Sequence, residues 1–187
     1  MSTTVSTPGQ TVGPFFHYAL PYPGDRDLVP PGSPGAVRLH GLVLDGDGAP
    51  VPDALVEIRQ AGPDGVVPVV EGSLRRDGYT FTGWGRSSTD RTGRYTFSTL
   101  APGAPSGEAA FFSVCVFARG LLHRLFTRAY LPAADDTLTA DRLLASLSPE
   151  RRATLIASGD EHGYRFDIRL QGEGETVFLE HDAGSRG

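Results

Sequence analysis

Two stretches decide the fold class: Gly41-Leu-Val-Leu-Asp-Gly-Asp-Gly-Ala-Pro-Val51 and Thr89-Asp-Arg-Thr-Gly-Arg-Tyr-Thr-Phe97. Each sets an Asp/Gly turn beside an alternating run. Leu42 and Leu44 precede the first turn and Val56 and Ile58 follow it; Tyr95 and Phe97 follow the second. A period of two bounded by Gly, Pro and Asp marks half-buried antiparallel strands, because alternate side chains of a strand point to opposite faces. Working outward, the same pattern predicts strands at 37–45, 54–61, 83–88, 94–99, 109–118, 122–131, 164–170 and 175–179. Val114-Cys-Val-Phe117, following Phe111 and Phe112, is apolar almost throughout, as a central strand covered on both faces would be. Arg119-Gly120 then turns the chain into 121–130 to complete a hairpin. Residues 62–82 form an irregular, Val-rich insertion, and Gly172-Glu-Gly-Glu175 reads as a hairpin turn.

One helical excursion interrupts the strands. Residues 139–146 make a weak short helix. Residues 148–157 make a better one, with Ser148 as cap, Pro149 in the first turn and Gly159 just beyond the end. The expected fold is therefore all-β, an antiparallel β-sandwich with a short helical excursion. Residues 1–36 are a Pro/Gly-rich N-terminal arm without periodicity. Phe15, Phe16, Tyr18 and Tyr22 suggest that the arm lies against something, a partner chain included. The domain proper is expected at 37–187.

The 187 residues suit one domain, and 24 glycines with 15 prolines suit a turn-rich β protein. A net charge of −5 with scattered arginines argues against a nucleic-acid surface. No apolar run approaches the roughly 20 residues of a membrane helix. The start of the chain has neither the basic nor the apolar region of a secretory signal. The lone Cys115 excludes an intrachain disulfide, so the cytoplasm is the expected compartment.

Chemistry-bearing residues are sparse. His17, His40, His123, His162 and His181 include no His-x-His or His-x-x-x-His pair, and singly each reads as an ordinary surface or core histidine. His123 is expected on a strand face. Ser113 and Cys115 read as buried strand, with Cys115 a small core hydrophobe. Arg119 is the strongest charged candidate: it ends an apolar strand at a turn, where a guanidinium can face a cleft and clamp a carboxylate bidentately. Arg128 and Arg86 are weaker candidates.

Several stretches in order along most of the chain resemble the intradiol ring-cleavage dioxygenases. They are Gln10-Thr-Val-Gly-Pro-Phe15, the two Asp/Gly segments, Gly85-Arg86, Phe117-Ala-Arg-Gly120, Thr127-Arg-x-Tyr130, Arg151-Arg-x-Thr-Leu-Ile-Ala157 and the distinctive Tyr164–Phe178. The resemblance implies a two-chain enzyme, a hetero-oligomer of alpha–beta pairs. In it a beta chain holds Fe(III) through two tyrosines and a His-x-His pair, and an alpha chain such as this one helps to shape the pocket. The implied reaction is cleavage of protocatechuate by O2, between its hydroxyl-bearing carbons, to 3-carboxy-cis,cis-muconate. At the positions matching the metal ligands this sequence has Pro105, Phe111, Ser113 and the Val66-Val67 pair, so the resemblance implies no metal site and no catalytic residue here. It implies substrate contacts at Thr11, Gly13, Pro14 and Arg119. A transthyretin-like binding sandwich is the alternative; it accounts for the Asp/Gly turns but not for the arm or the C-terminal stretch.

Overall fold

The computed structural model describes residues 13, 15–70, 76–104 and 108–180. Two sheets face each other, as the alternation predicts. One is ordered β4 (Arg94–Leu100), β1 (Ala36–Leu44), β8 (Gly163–Arg165), β7 (Ser158–Asp160), with β9 (Ile168–Arg169) also on β1. The other is ordered β3 (Trp84–Ser88), β2 (Leu55–Gln60), β5 (Phe111–Phe117), β6 (Leu125–Tyr130). Pairing is antiparallel except where β8 and β9 run parallel to β1.

The two Asp/Gly motifs are corners between sheets. The first carries the chain from β1 to β2 and the second from β3 to β4. Asp45 Oδ1 accepts from the backbone N–H of Asp47 and Ala49, and Asp90 Oδ1 accepts from those of Thr92 and Arg94. These are local side-chain turns that need no partner strand. The corners then lock together. Gly93 carbonyl accepts from Val43 N–H at 2.8 Å, and Thr89 Oγ1 donates to Val51 carbonyl while accepting from Ala54 N–H. Gly93 sits at φ +73°, where a Cβ would come within 2.8 Å of the Val43 carbonyl oxygen and 2.9 Å of Pro50 Cβ. Only glycine accepts both that dihedral and that contact.

Between the sheets lies one core, containing Leu39, Val43, Val56, Ile58, Tyr95, Phe97, Phe112, Val114 and Val116. On β1 the inward residues are Leu39 and Val43, so Leu42 and Leu44 lie on the half-covered outer face. On β5 only one face is fully covered. Phe112, Val114 and Val116 are buried, Ser113 is exposed and Cys115 half-buried. Both were expected to be interior; β5 is central within its sheet, yet its outer face meets no second layer.

Other boundaries differ for local reasons. The strand expected at 164–170 breaks at Phe166–Asp167. There Tyr95 Oη donates to the Phe166 carbonyl at 2.6 Å and Leu42 N–H donates to Asp167 Oδ1. Residues 175–179 form no ladder. They lie beside the free edge of β6, where Leu179 N–H donates to the Phe126 carbonyl and Thr127 Oγ1 to that of Val177. β6 starts at Leu125, which leaves His123 exposed in the preceding loop rather than on a strand. The helical excursion is three short helices, α2 (Asp135–Ala140), α3 (Arg142–Ala145) and α4 (Pro149–Ala153). Ser148 caps α4 as expected, accepting from Arg151 N–H, but the helix ends at Ala153 and Gly159 belongs to β7.

Within the arm, α1 (Phe16–Ala19) buries Phe16. Beyond it the chain seals the open side of its own sandwich. Asp25 carbonyl accepts from Arg86 N–H of β3, Ser98 N–H of β4 donates to Arg26 carbonyl, and Leu28 enters the core. Thr11 and Pro14 lie outside the described residues.

Candidate functional site

Arg119 stands two residues past β5, in a turn closed by Leu121 N–H on the Ala118 carbonyl at 3.2 Å. Its side chain is 62% exposed and pairs with Asp53 Oδ2, whose own side chain is only 16% exposed. Asp53 follows Pro52 directly after the first corner. The sequence offered no signal for this pairing beyond a Pro-Asp turn, because the partners lie 66 residues apart. An ion pair with one partner in solvent contributes about 0–1 kcal/mol. The guanidinium is thus oriented by Asp53 while able to exchange it for, or share it with, an incoming carboxylate.

The other candidate arginines have structural employment. Arg86 donates from Nε and Nη2 to Glu57 Oε1 at 2.9 and 2.6 Å, reaches the Leu20 carbonyl and lies over the Trp84 ring. Arg128 stacks on Phe111 with its guanidinium carbon 4.2 Å from the ring centroid and donates to Tyr130 Oη at 3.0 Å. Gly13 holds φ +77°, the left-handed region that glycine enters without penalty.

Phe111, Ser113 and Val67, three of the positions matched to metal ligands, line one pocket of about 350 Å³. Arg59, Gln60, Glu108 and Ala104 complete much of its wall. Pro105 lies outside the described residues. Ferric iron requires anionic oxygen and imidazole donors. A phenyl ring, an isopropyl group and one hydroxyl do not supply them, and no group of three His, Cys, Asp or Glu side chains converges among the described residues. The residues of this pocket do not fit the metal.

Strand register separates this pocket from Arg119. Phe117 and Ser88 both lie opposite Leu55, at the corner end of the sheet, whereas Ser113 and Trp84 both lie opposite Arg59 near the other end. The six steps of β5 from Phe111 to Phe117 span about 20 Å. Arg119 therefore lies at the other end of β5 from this pocket.

Of the histidines, His40 and His162 approach each other, with ring centroids 6.3 Å apart. His17 lies against Phe16 and Tyr18 in the arm, His123 is exposed, and His181 lies outside the described residues. Burial, with Glu57 adding to it, pushes the Cys115 thiol up to about 12, and burial pushes the Tyr130 phenol up to about 12. Neither is a proton donor or nucleophile near neutral pH.

Comparison with known proteins places this geometry. The family described as Dioxygenase matches residues 13–110. The chain is 38% identical to the protocatechuate 3,4-dioxygenase alpha chain of Burkholderia cepacia, covering 96% of this chain and all of that one. It is 34% identical to the beta chain from the same organism, covering 82% of this chain and 74% of that one. Among solved structures it resembles the dioxygenase domain of a dioxygenase carbohydrate-binding protein fusion from Streptomyces sp. SirexAA-E. There the TM-score is 0.58 at 25% identity, covering 89% of this chain and 98% of that one. A match over 96% of the chain takes in the arm and the C-terminal stretch, which the transthyretin-like reading left unexplained. Among the described residues no helix is long and apolar enough to cross a membrane.

Proposed function

Since this chain belongs to the intradiol ring-cleavage dioxygenase family, we propose that it is the alpha subunit of a protocatechuate 3,4-dioxygenase, pairing with a beta chain that holds the Fe(III). The iron supplies the oxygen chemistry of the family; this chain supplies pocket walls. One observation carries the reading: this pocket presents Phe111, Ser113 and Val67 at the positions the resemblance matches to donors, which supports a redox centre held by another polypeptide.

Two further features support the partner. Arg119 lies at the opposite end of β5 from its own pocket, so the carboxylate it would clamp belongs to a substrate bound across an interface. Phe15 and Tyr18 of the arm are 72% and 76% exposed, apolar surface of the kind a second chain covers. In this role Arg119 holds the ring carboxylate of protocatechuate, and the arm residues Thr11, Gly13 and Pro14 border the ring. The exposed part of the arm around Phe15 and Tyr18 reaches the partner, while residues 25–28 help close the sandwich that displays Arg119. The compartment is the cytoplasm.

Expression of the chain alone and with a beta chain tests the proposal. Alone it is expected to purify without iron and without protocatechuate turnover; together the two form an iron-containing complex that opens the ring. Stoichiometric iron in the isolated chain, or ring opening by it unaided, would refute the assignment.

A further inference from the structure

Strands β1 and β4 present an outer face that the core does not account for. Their alternation sends Leu39, Tyr95 and Phe97 inward and places Arg38, His40, Arg94, Thr96 and Ser98 on the other side, with Arg38 opposite Ser98 and His40 opposite Thr96. This face floors a cavity of about 540 Å³, within the roughly 300–1,000 Å³ typical of small-molecule sites. Arg26 and Asp27 wall it from the arm, and His162 from the turn between β7 and β8.

The charges there are uneven. Arg26, Arg38 and Arg94, from three separate segments, reach the same cavity, and among the described residues none of the three makes an ion pair or a guanidinium hydrogen bond. Elsewhere on this acidic chain Arg86, Arg119 and Arg165 each hold a carboxylate. Asp27 is the one acid on the wall. His40 is 93% buried by contrast with the arginines, being only 7% exposed. Its Nε2 lies 2.9 Å from Asp160 Oδ2, just behind the cavity floor. Three guanidinium forks, with Asp25 and Asp90 only in electrostatic reach of Arg26 and Arg94, stand beside the His40 imidazole and the hydroxyls of Thr96 and Ser98 and form a donor-rich concavity.

We propose that this cavity binds a small multivalent anion bearing carboxylate or phosphate groups. Guanidinium forks match the paired oxygens of either group, and more than one charge is needed to engage arginines from more than one strand. The inference stands apart from the subunit reading, because it is tested by binding and needs no turnover.

Isothermal titration of the full chain, in the assembly in which it purifies, with citrate in one arm and pyrophosphate in the other, decides the matter. Saturable binding is expected with a Kd of about 1 mM or tighter, not reproduced by sodium chloride at matched ionic strength. The tighter arm identifies the chemical class. The double variant Arg38→Ala/Arg94→Ala, altering two exposed side chains, should weaken binding at least tenfold with an unchanged circular dichroism spectrum. Asp27→Asn should tighten it. Absence of saturable heat in both arms, or a double variant that binds like the parent, would overturn the proposal.

Discussion

Replacing Arg119 by alanine separates a clamp from a strut. The side chain is 62% exposed and its one ion pair, to Asp53, is a surface pair contributing about 0–1 kcal/mol. Unfolding of Arg119→Ala should therefore shift by no more than about 1 kcal/mol. A charge-assisted hydrogen bond to a substrate carboxylate is worth about 1.5–3 kcal/mol, which corresponds to roughly a 10- to 150-fold loss in kcat/KM for protocatechuate. Most of that loss should appear in KM, since the clamp holds substrate and transition state alike, with the iron content of the complex unchanged. Catechol, which has no carboxylate, provides the control: its turnover should be indifferent to the substitution. Arg119→Lys should recover only part of the loss, because an ammonium cannot form the two-pronged contact. Asp53→Asn should leave KM unchanged or lower it, by removing the internal competitor. The assay is steady-state oxygen uptake by the reconstituted complex on both substrates. An unaltered KM for protocatechuate, or equal damage with catechol, would refute the clamp.

Three further outcomes test the scaffold. Tyr95→Phe removes the 2.6 Å bond to the Phe166 carbonyl and should cost about 1–2 kcal/mol, lowering Tm by roughly 2–8 °C in calorimetry. Gly93→Ala should cost about 2–5 kcal/mol, since it adds a crowded Cβ to a left-handed dihedral, whereas Gly120→Ala, at φ +88° with space around it, should cost only about 1–2 kcal/mol by denaturant titration. Cys115 should resist iodoacetamide at pH 8 in the folded chain and react after denaturation. With the folded thiol raised to about 12, its contribution to stability is complete below the unfolded value of about 8.5 and is lost as pH climbs toward 12.

How much of this was legible in the sequence depends on how local each feature is. Asp45 and Asp90 shape their turns with side-chain bonds to residues two and four positions on, so both corners could be read from single segments. That the corners switch sheets and lock at Gly93 could not be read, because the contact joins residues 43 and 93. The break at Phe166–Asp167 depends on Tyr95 and Leu42, and the edge cover at 177–179 on Phe126 and Thr127; both looked like strands because their own alternation is sound. Short β7 and α1 carry too few residues to show a period. At the site, Arg119 was legible as a strand-end arginine, while Asp53 and the convergence of Arg26, Arg38 and Arg94 are products of tertiary folding.

If this chain leaves the metal to a partner, as proposed, the two ends of β5 explain how it could still contribute to a site. Buried imidazoles and phenols with no metal between them would leave polar atoms unsatisfied, at about 1–3 kcal/mol each. Phe111 and Val67 carry no such polar atoms, and Arg128 stacks on Phe111. The core between the sheets runs the length of β5 on its inner face, from Phe112 to Ala118, so exchanges at the outer-facing Phe111 and Ser113 leave its inward residues in place. The corner end is under a different constraint. There the interlocked turns place Asp53 between Val51 and Ala54, both bonded to Thr89, and Asp53 pairs weakly with Arg119, so the proposed clamp sits on a rigid corner while its guanidinium stays free to change partners. On the proposed reading, a subunit without donors can therefore still present Arg119 from the corner contacts that keep it folded.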